Sequence, residues 1–200
     1  MEKTIRKYTE LFKDELCFRN IPDAEGKAIA YAGRLREMYA SEEFRNFNIY
    51  PTVDTVKVFA VIAMCLELRS YGFSDPEIID LVNHAFHRIR KMFSILLGGI
   101  NLLPNSYHIA EKWNINDHEK RVKDGSLTYD LFDVSDGKIE YRVTGCAYVR
   151  MFEEYGIRSL CKIFCLTDMT SYAGLTRHVR FIRHSDLSDG DCCHDEVIRK

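Results

Sequence analysis

The chain has 200 residues, 46% of them hydrophobic, which is enough to bury the core of one domain without disulfides. Its 28 basic and 30 acidic residues leave a formal charge of -2, so no general field attracts nucleic acid or an anionic membrane. We therefore predict one domain over residues 1–200 and expect neither nucleic acid nor a membrane as a partner.

The N-terminal segment and the cysteines both bear on the compartment. The segment "MEKTIRKYTELFKDEL" mixes charged and apolar residues and lacks the uninterrupted apolar run of a signal peptide. Seven cysteines, an odd number, occur in a chain too large to need a disulfide framework. We expect a cytoplasmic protein with free thiols, and the sequence leaves homo-oligomerisation open.

Helical periodicity dominates the first half of the chain. Asp23 is placed to cap the second of two amphipathic helices, and the apolar run Val53–Leu68 predicts a helix surrounded on all sides. Ser74 and Glu77 form the pattern of a capping box for a further helix, which the pair Gly98–Gly99 is expected to end. The weaker pattern that follows predicts a helix and a loop.

The period changes from helical to alternating after Gly125. The segments "LTYDLFDV" and "IEYRVTGC" around "SDGK" predict an antiparallel hairpin, and "HVRFIRHS" and "CCHDEVIR" predict two more strands. Two helices lie between these hairpins and are expected to end at Gly156 and Gly174. The fold class is therefore α+β, with an N-terminal helical layer packed on a C-terminal four-stranded, mainly antiparallel sheet. The helical half covers about 1–124, and the sheet-containing half about 125–200.

A thiol and a carboxylate recur at helical spacing in "SLCKIFCLTDM". Cys161, Cys165 and Asp168 are four and then three residues apart, so they occupy neighbouring positions on one helix face. This spacing predicts a thiol beside a carboxylate. The alternative is that the cysteines are small core residues and that Asp168 only caps or solvates the helix end.

Arg183 is the second chemical feature, because the alternation of its strand directs it to the same side as Val179 and Phe181. An arginine on an apolar face needs an anion, either Asp168 in a buried pair or a ligand carboxylate held bidentately. The alternative is an edge-strand arginine in solvent.

The spacing of the candidate sulfur ligands does not favour a metal site. Cys192 and Cys193 are adjacent on a strand, so only one of them faces a given site. We expect neither a metal nor an organic cofactor, and a thiol-lined metal centre stays an alternative.

The segments "YRVTGCAYVRMFEEYGI", "FCLTDMTSYAGL" and "VRFIRHSDLSDGDCC" resemble the C-terminal signature of the L-2-amino-thiazoline-4-carboxylic acid hydrolase family. The resemblance covers about the last third of the chain, and the residues that match the signature are Cys146, Cys165, Asp168, Arg183, Gly190 and one of Cys192 and Cys193. The chain departs from the signature at His184 and Asp186, where the family carries threonines, and from Cys193 to Glu196, where it ends in Cys-Asp-Phe.

The resemblance implies an enzyme that opens the thiazoline ring by adding water at the carbon between nitrogen and sulfur, which gives N-carbamoyl-L-cysteine. The catalytic residues would be Cys165 and Asp168, with either the Cys165 thiolate or a water deprotonated by Asp168 as the nucleophile. Arg183 would clamp the substrate carboxylate, and if Cys165 is the nucleophile, Arg183 and His178 are the cationic groups expected to depress its pKa. His178, Cys146 and Cys193 complete the expected substrate-binding set.

The same strand, turn and cysteine arrangement also resembles small-molecule-binding domains of the 4-vinyl-reductase type. These domains hold or sense a ligand and do not turn it over. A non-catalytic, sensor-like binding domain is therefore the alternative function.

Overall fold

A computed structural model describes the side chains of residues 1–86 and 95–200. The chain forms two compact units, Met1–Ile89 and Arg90–Lys200. The prediction of one domain over residues 1–200 is not tested by this division and stays a prediction. Within the described ranges, no helix combines the length and the apolar character that crossing a membrane requires.

The first unit is helical. Its elements are α1 (Glu2–Phe18), α2 (Ala24–Ala40), α3 (Glu42–Phe47), α4 (Thr55–Ser70) and the first part of α5 (Asp75–Asn101). Helix α4 is buried along almost its whole length, as its uniformly apolar sequence predicts.

Two helix starts in this unit have the side-chain caps that the sequence predicts. The Asp23 carboxylate accepts a hydrogen bond from the Gly26 amide at 3.2 Å. Glu77 Oε2 accepts a hydrogen bond from the Ser74 amide at 2.8 Å and another from the Ser74 hydroxyl at 2.5 Å. The carboxylate therefore satisfies an amide at the helix start that would otherwise lack a partner within the helix.

The second unit contains the sheet. After the end of α5 come α6 (Ser106–Asp124), β1 (Leu127–Ser135), β2 (Lys138–Cys146), α7 (Ala147–Glu154), a 3-10 helix (Arg158–Cys161), α8 (Lys162–Tyr172), β3 (Val179–Ser185) and β4 (Cys193–Arg199). The strand order is β1-β2-β4-β3, and every pairing is antiparallel. The protein is an α+β protein with N-terminal helices and a C-terminal four-stranded antiparallel sheet, as predicted.

One detail of the helices differs from the sequence-based predictions. Helix α5 continues through Gly98 and Gly99 to Asn101, because a glycine inside a helix costs only about 1 kcal/mol and does not by itself end it. The segment with the weak pattern forms a short turn over residues 102–105 and then helix α6, so it contains a helix and a loop as predicted. Gly156, by contrast, has a φ of +66° just beyond α7, as a glycine helix stop should.

One face of the sheet is covered by α6 and α8. Ring stacking places the helices: His118 of α6 lies 3.6 Å from Phe132 of β1, and Tyr172 of α8 lies 4.4 Å from Phe181 of β3, between ring centroids. Helix α6 crosses the sheet, with contacts to β1, β3 and β4, while α8 lies over the β3 edge. The central strands β2 and β4 lie between the edge strands β1 and β3.

Candidate active site

A single row of paired residues crosses the covered face of the sheet. Phe132 is opposite Tyr141, Tyr141 is opposite Asp195, and Asp195 is opposite Arg183. Side chains of directly opposed residues in antiparallel strands point to the same face. The register therefore sets a carboxylate beside a guanidinium on a face where the other members of the row are aromatic.

Arg183 is held by a dense set of hydrogen bonds. Its Nε donates to Asp195 Oδ1 at 2.8 Å, and its Nη2 donates to Asp195 Oδ2 at 2.7 Å, which is a bidentate ion pair. Its Nη1 donates to the backbone carbonyl of Cys165 at 2.6 Å. Burial opposes the charge of Arg183, but the bonds to Asp195 outweigh it and hold the pKa of the guanidinium above its ordinary value.

Asp168 lies at the edge of this cluster. Its Oδ2 accepts a hydrogen bond from Arg183 Nη2 at 3.3 Å. Burial raises the pKa of Asp168 to about 6, while Arg183 acts in the opposite direction. Because 58% of the side chain is nevertheless exposed to water, this carboxylate is open to solvent and not in a sealed core, and we call the surface around it the recess.

Tyrosines line the recess. The charge of Asp168 acts on the pKa of four of them: Tyr129, Tyr141, Tyr148 and Tyr172. Burial raises the pKa of every one of these phenols, yet all except Tyr172 keep part of their surface exposed. A largely aromatic wall with a few charged groups is typical of a small-molecule site.

The Cys165 thiol has neighbours that the sequence does not reveal. It hydrogen-bonds to Cys161 and to the carboxylate of Asp186. The hydrogen bond with Cys161 and burial together raise the pKa of Cys165 far above its ordinary value. The expectation that Arg183 and His178 depress this pKa is therefore wrong. Arg183 bonds the backbone carbonyl of Cys165, and an acidic side chain faces the sulfur.

The other predicted substrate-binding residues are only partly brought together. The Cys193 sulfur donates to Asp195 Oδ2 at 3.4 Å, and burial raises the pKa of its thiol. Cys146 ends β2, and burial raises the pKa of its thiol to about 11. His178 precedes β3 and lies five residues before Arg183, roughly 16 Å along an extended strand. The substrate-binding roles of these residues stay predictions.

Asp195 is the site residue that sequence reasoning missed. Only 1% of its side chain is exposed, and it is the main anion that Arg183 needs, with Asp168 as a second, weaker partner. The sequence contains a signal for Asp195, because Cys193 and Asp195 are two residues apart and therefore lie on the same face of β4. Finding the pair required the register between β3 and β4, which the alternation alone does not supply.

The departures from the family signature fall partly outside the recess. His184 and Glu196 pair with each other at 3.3 Å, and His194 pairs with Glu140 at 2.9 Å. All four belong to the opposite face of the sheet, since each is next in sequence to a residue of the covered row. The exceptions are Asp186, which contacts the Cys165 thiol, and Cys193 and Asp195, which lie on the covered face beside Arg183.

Residues 1–86 and 95–200 contain no group of three or more histidine, cysteine or acidic side chains that is arranged to hold a metal ion. All seven cysteines are free thiols in the structure. The chemistry that the recess offers is therefore that of a solvent-exposed carboxylate beside a buried arginine.

Comparisons with known proteins identify the family of the chain. The sequence-family model of L-2-amino-thiazoline-4-carboxylic acid hydrolase matches residues 75–195, which is more than half of the chain and includes Asp168, Arg183 and Asp195. A comparison with curated proteins finds no match. The chain belongs to the L-2-amino-thiazoline-4-carboxylic acid hydrolase family.

Proposed function

We propose that the protein hydrolyses a small cyclic amidine or thiazoline carboxylate, such as L-2-amino-thiazoline-4-carboxylate, to an N-carbamoyl amino acid. The observation that supports this most directly is the Asp168 carboxylate, which is exposed to water and held by Arg183 at 3.3 Å. A carboxylate with a pKa of about 6 is ionised at neutral pH and remains basic enough to take a proton from water.

A single carboxylate, that of Asp168, can carry all the proton transfers that the reaction requires. Asp168 takes a proton from water as the oxygen attacks the ring carbon between nitrogen and sulfur. The electron pair of the carbon–nitrogen double bond goes to the ring nitrogen, which takes the proton from Asp168. Asp168 then removes the proton of the new hydroxyl as the carbonyl forms, the carbon–sulfur bond breaks with its electron pair going to sulfur, and Asp168 passes this second proton to the departing thiolate. The product gains one water and carries a urea group and a free thiol.

Arg183 has a positioning role in this proposal. At least four of its five N–H groups are donated within the chain, to Asp195, Asp168 and the Cys165 carbonyl. A bidentate clamp on a substrate carboxylate, the role that the family resemblance implies, would require Arg183 to release Asp195. The observed bonds instead fix the direction in which Arg183 presents its Nη2 to Asp168.

Cys165 is expected to be dispensable for the chemical step. Its thiol pKa is raised, so very little thiolate exists at neutral pH to act as a nucleophile. We predict that Cys165→Ser keeps kcat within about tenfold of the wild type, well short of the loss caused by removing a general base. Steady-state kinetics of the purified variant check this, and a loss of several orders of magnitude in a folded variant would restore the thiolate mechanism.

The proposed activity is tested by incubating the wild-type protein with L-2-amino-thiazoline-4-carboxylate and titrating the thiol that appears. We expect one new thiol per substrate consumed and a product heavier than the substrate by one water. A thermal shift with no release of thiol would instead favour the sensor-like binding domain, because a ligand stabilises the folded state by mass action whether or not it reacts.

A further inference from the structure

Arg121 of α6 is a second, largely buried cation near the recess. Only 19% of its side chain is exposed, and its Nε donates to Asp117 Oδ2 at 2.6 Å, one helical turn earlier. Its guanidinium carbon lies 5.9 Å from the ring centroid of Tyr148, with which it also hydrogen-bonds. Burial opposes its charge, but Tyr148 and Asp117 outweigh it and raise the pKa of Arg121. Arg121 is therefore a fixed cation.

Two links between α6 and α8, at different heights along the helices, place Arg121 on the side of α6 that faces Asp168. In the first link, Asn114 Nδ2 of α6 donates to the Tyr172 hydroxyl of α8 at 2.7 Å. In the second, Tyr148 contacts both Arg121 of α6 and Phe164 of α8, with 5.0 Å between the ring centroids of Tyr148 and Phe164.

The helical period then locates Asp168 between the two residues of α8 that make these links, Phe164 and Tyr172. Asn114 and Arg121 are seven residues apart on α6, which is about two turns, so they share a face. Phe164, Asp168 and Tyr172 are each four residues apart on α8 and share another. Asp168 thus lies one turn from each of the two contacts with α6. The charge of Arg121 accordingly acts on the Asp168 carboxylate.

We propose that Arg121 binds the carboxylate of the substrate, so that the site selects small heterocycles that carry one carboxylate. This inference rests on the proposed function and assigns the anion-binding end of the same recess. Arg121 uses two of its five N–H groups in the contacts to Asp117 and Tyr148, whereas Arg183 uses at least four of its own. Arg121 therefore has the donors for a bidentate bond to a carboxylate.

The test compares two ligands in calorimetric binding: L-2-amino-thiazoline-4-carboxylate, and 2-aminothiazoline, which lacks the carboxylate. The wild type should prefer the carboxylate, and Arg121→Gln should weaken its binding by about 30-fold or more while changing the affinity for the neutral compound little. Arg121→Lys keeps the positive charge but loses the planar pair of guanidinium donors. Its affinity for the carboxylate compound should therefore lie between those of the wild type and Arg121→Gln. Arg142→Gln is the matched control, because Arg142 pairs with Asp130 in a half-exposed ion pair.

Equal binding of the two compounds by the wild type, or binding of neither, overturns the inference without reference to any variant. Equal losses for both compounds in Arg121→Gln also overturn it, because they would indicate a structural role. Binding needs no turnover, so a wild type that prefers the carboxylate but releases no thiol retains the Arg121 site and removes the proposed hydrolysis.

Discussion

Replacing Asp168 by asparagine is expected to lower kcat by about 10²–10⁴-fold, the range that a general base contributes. Asparagine has nearly the same shape and still accepts a hydrogen bond from Arg183 through its amide oxygen, but it cannot take a proton from water. Substrate affinity should stay close to that of the wild type, because the lost interaction belongs to the transition state. Steady-state kinetics for kcat and calorimetry for affinity measure the two effects separately.

The matched control for this variant is Asp130→Asn. Asp130 is also a carboxylate paired with an arginine, Arg142 at 2.7 Å, but 44% of each side chain is exposed, and neither residue is in the covered row. We expect wild-type kinetics for the control. A folded Asp168→Asn protein with full activity would remove Asp168 from the mechanism.

The second large effect concerns the folding of the site. Asp195→Ala should lower the free energy of unfolding by about 3–5 kcal/mol, because it leaves Arg183 buried without its main counter-ion. The two side chains are 1% and 8% exposed, so water does little to replace the lost pair. Urea unfolding measures the change. The exposed pair provides the comparison, and Asp130→Ala should cost less than about 1 kcal/mol.

A double variant separates the stability of this pair from its function. Replacing Arg183 by methionine and Asp195 by leucine removes both charges, and buried ion pairs replaced in this way are often neutral or stabilising. We expect most of the lost stability to return while kcat stays low, since Asp168 no longer has the Arg183 contact that orients it. Recovery of both stability and wild-type kcat would show that Arg183 does not position Asp168.

Alternation and turn residues carry much of the information about the sheet. The hairpin around "SDGK" and the strands that contain Phe181 and Val197 follow from period-two patterns and turn signals, and all are confirmed. The glycine pair in α5 shows the limit of such signals. Gly98 and Gly99 directly follow the buried Leu97, and a helix anchored by packing continues through residues of low helical propensity.

The candidate site was predictable only in its parts. The periodicity of β3 predicts that Arg183 faces an apolar side, and Arg183 does contact Asp168, one of the two anions considered for it. The dominant partner, Asp195, depends on strand register, and the high pKa of Cys165 depends on Cys161 and Asp186, which lie before and after it in separate elements. Contacts of this kind arise from tertiary packing, which local patterns do not specify.

The pH dependence of kcat/KM tests the central claim, that Asp168 activates water, most directly. This ratio reports the pKa of the essential base in the free enzyme. Since the carboxylate acts in its ionised form, kcat/KM should rise with pH through the Asp168 pKa of about 6 and then level off, after the substrate's own titration is measured and corrected. A ratio that is flat through this range and rises only near the ordinary thiol pKa of about 8.5 would contradict the account and indicate a cysteine thiolate.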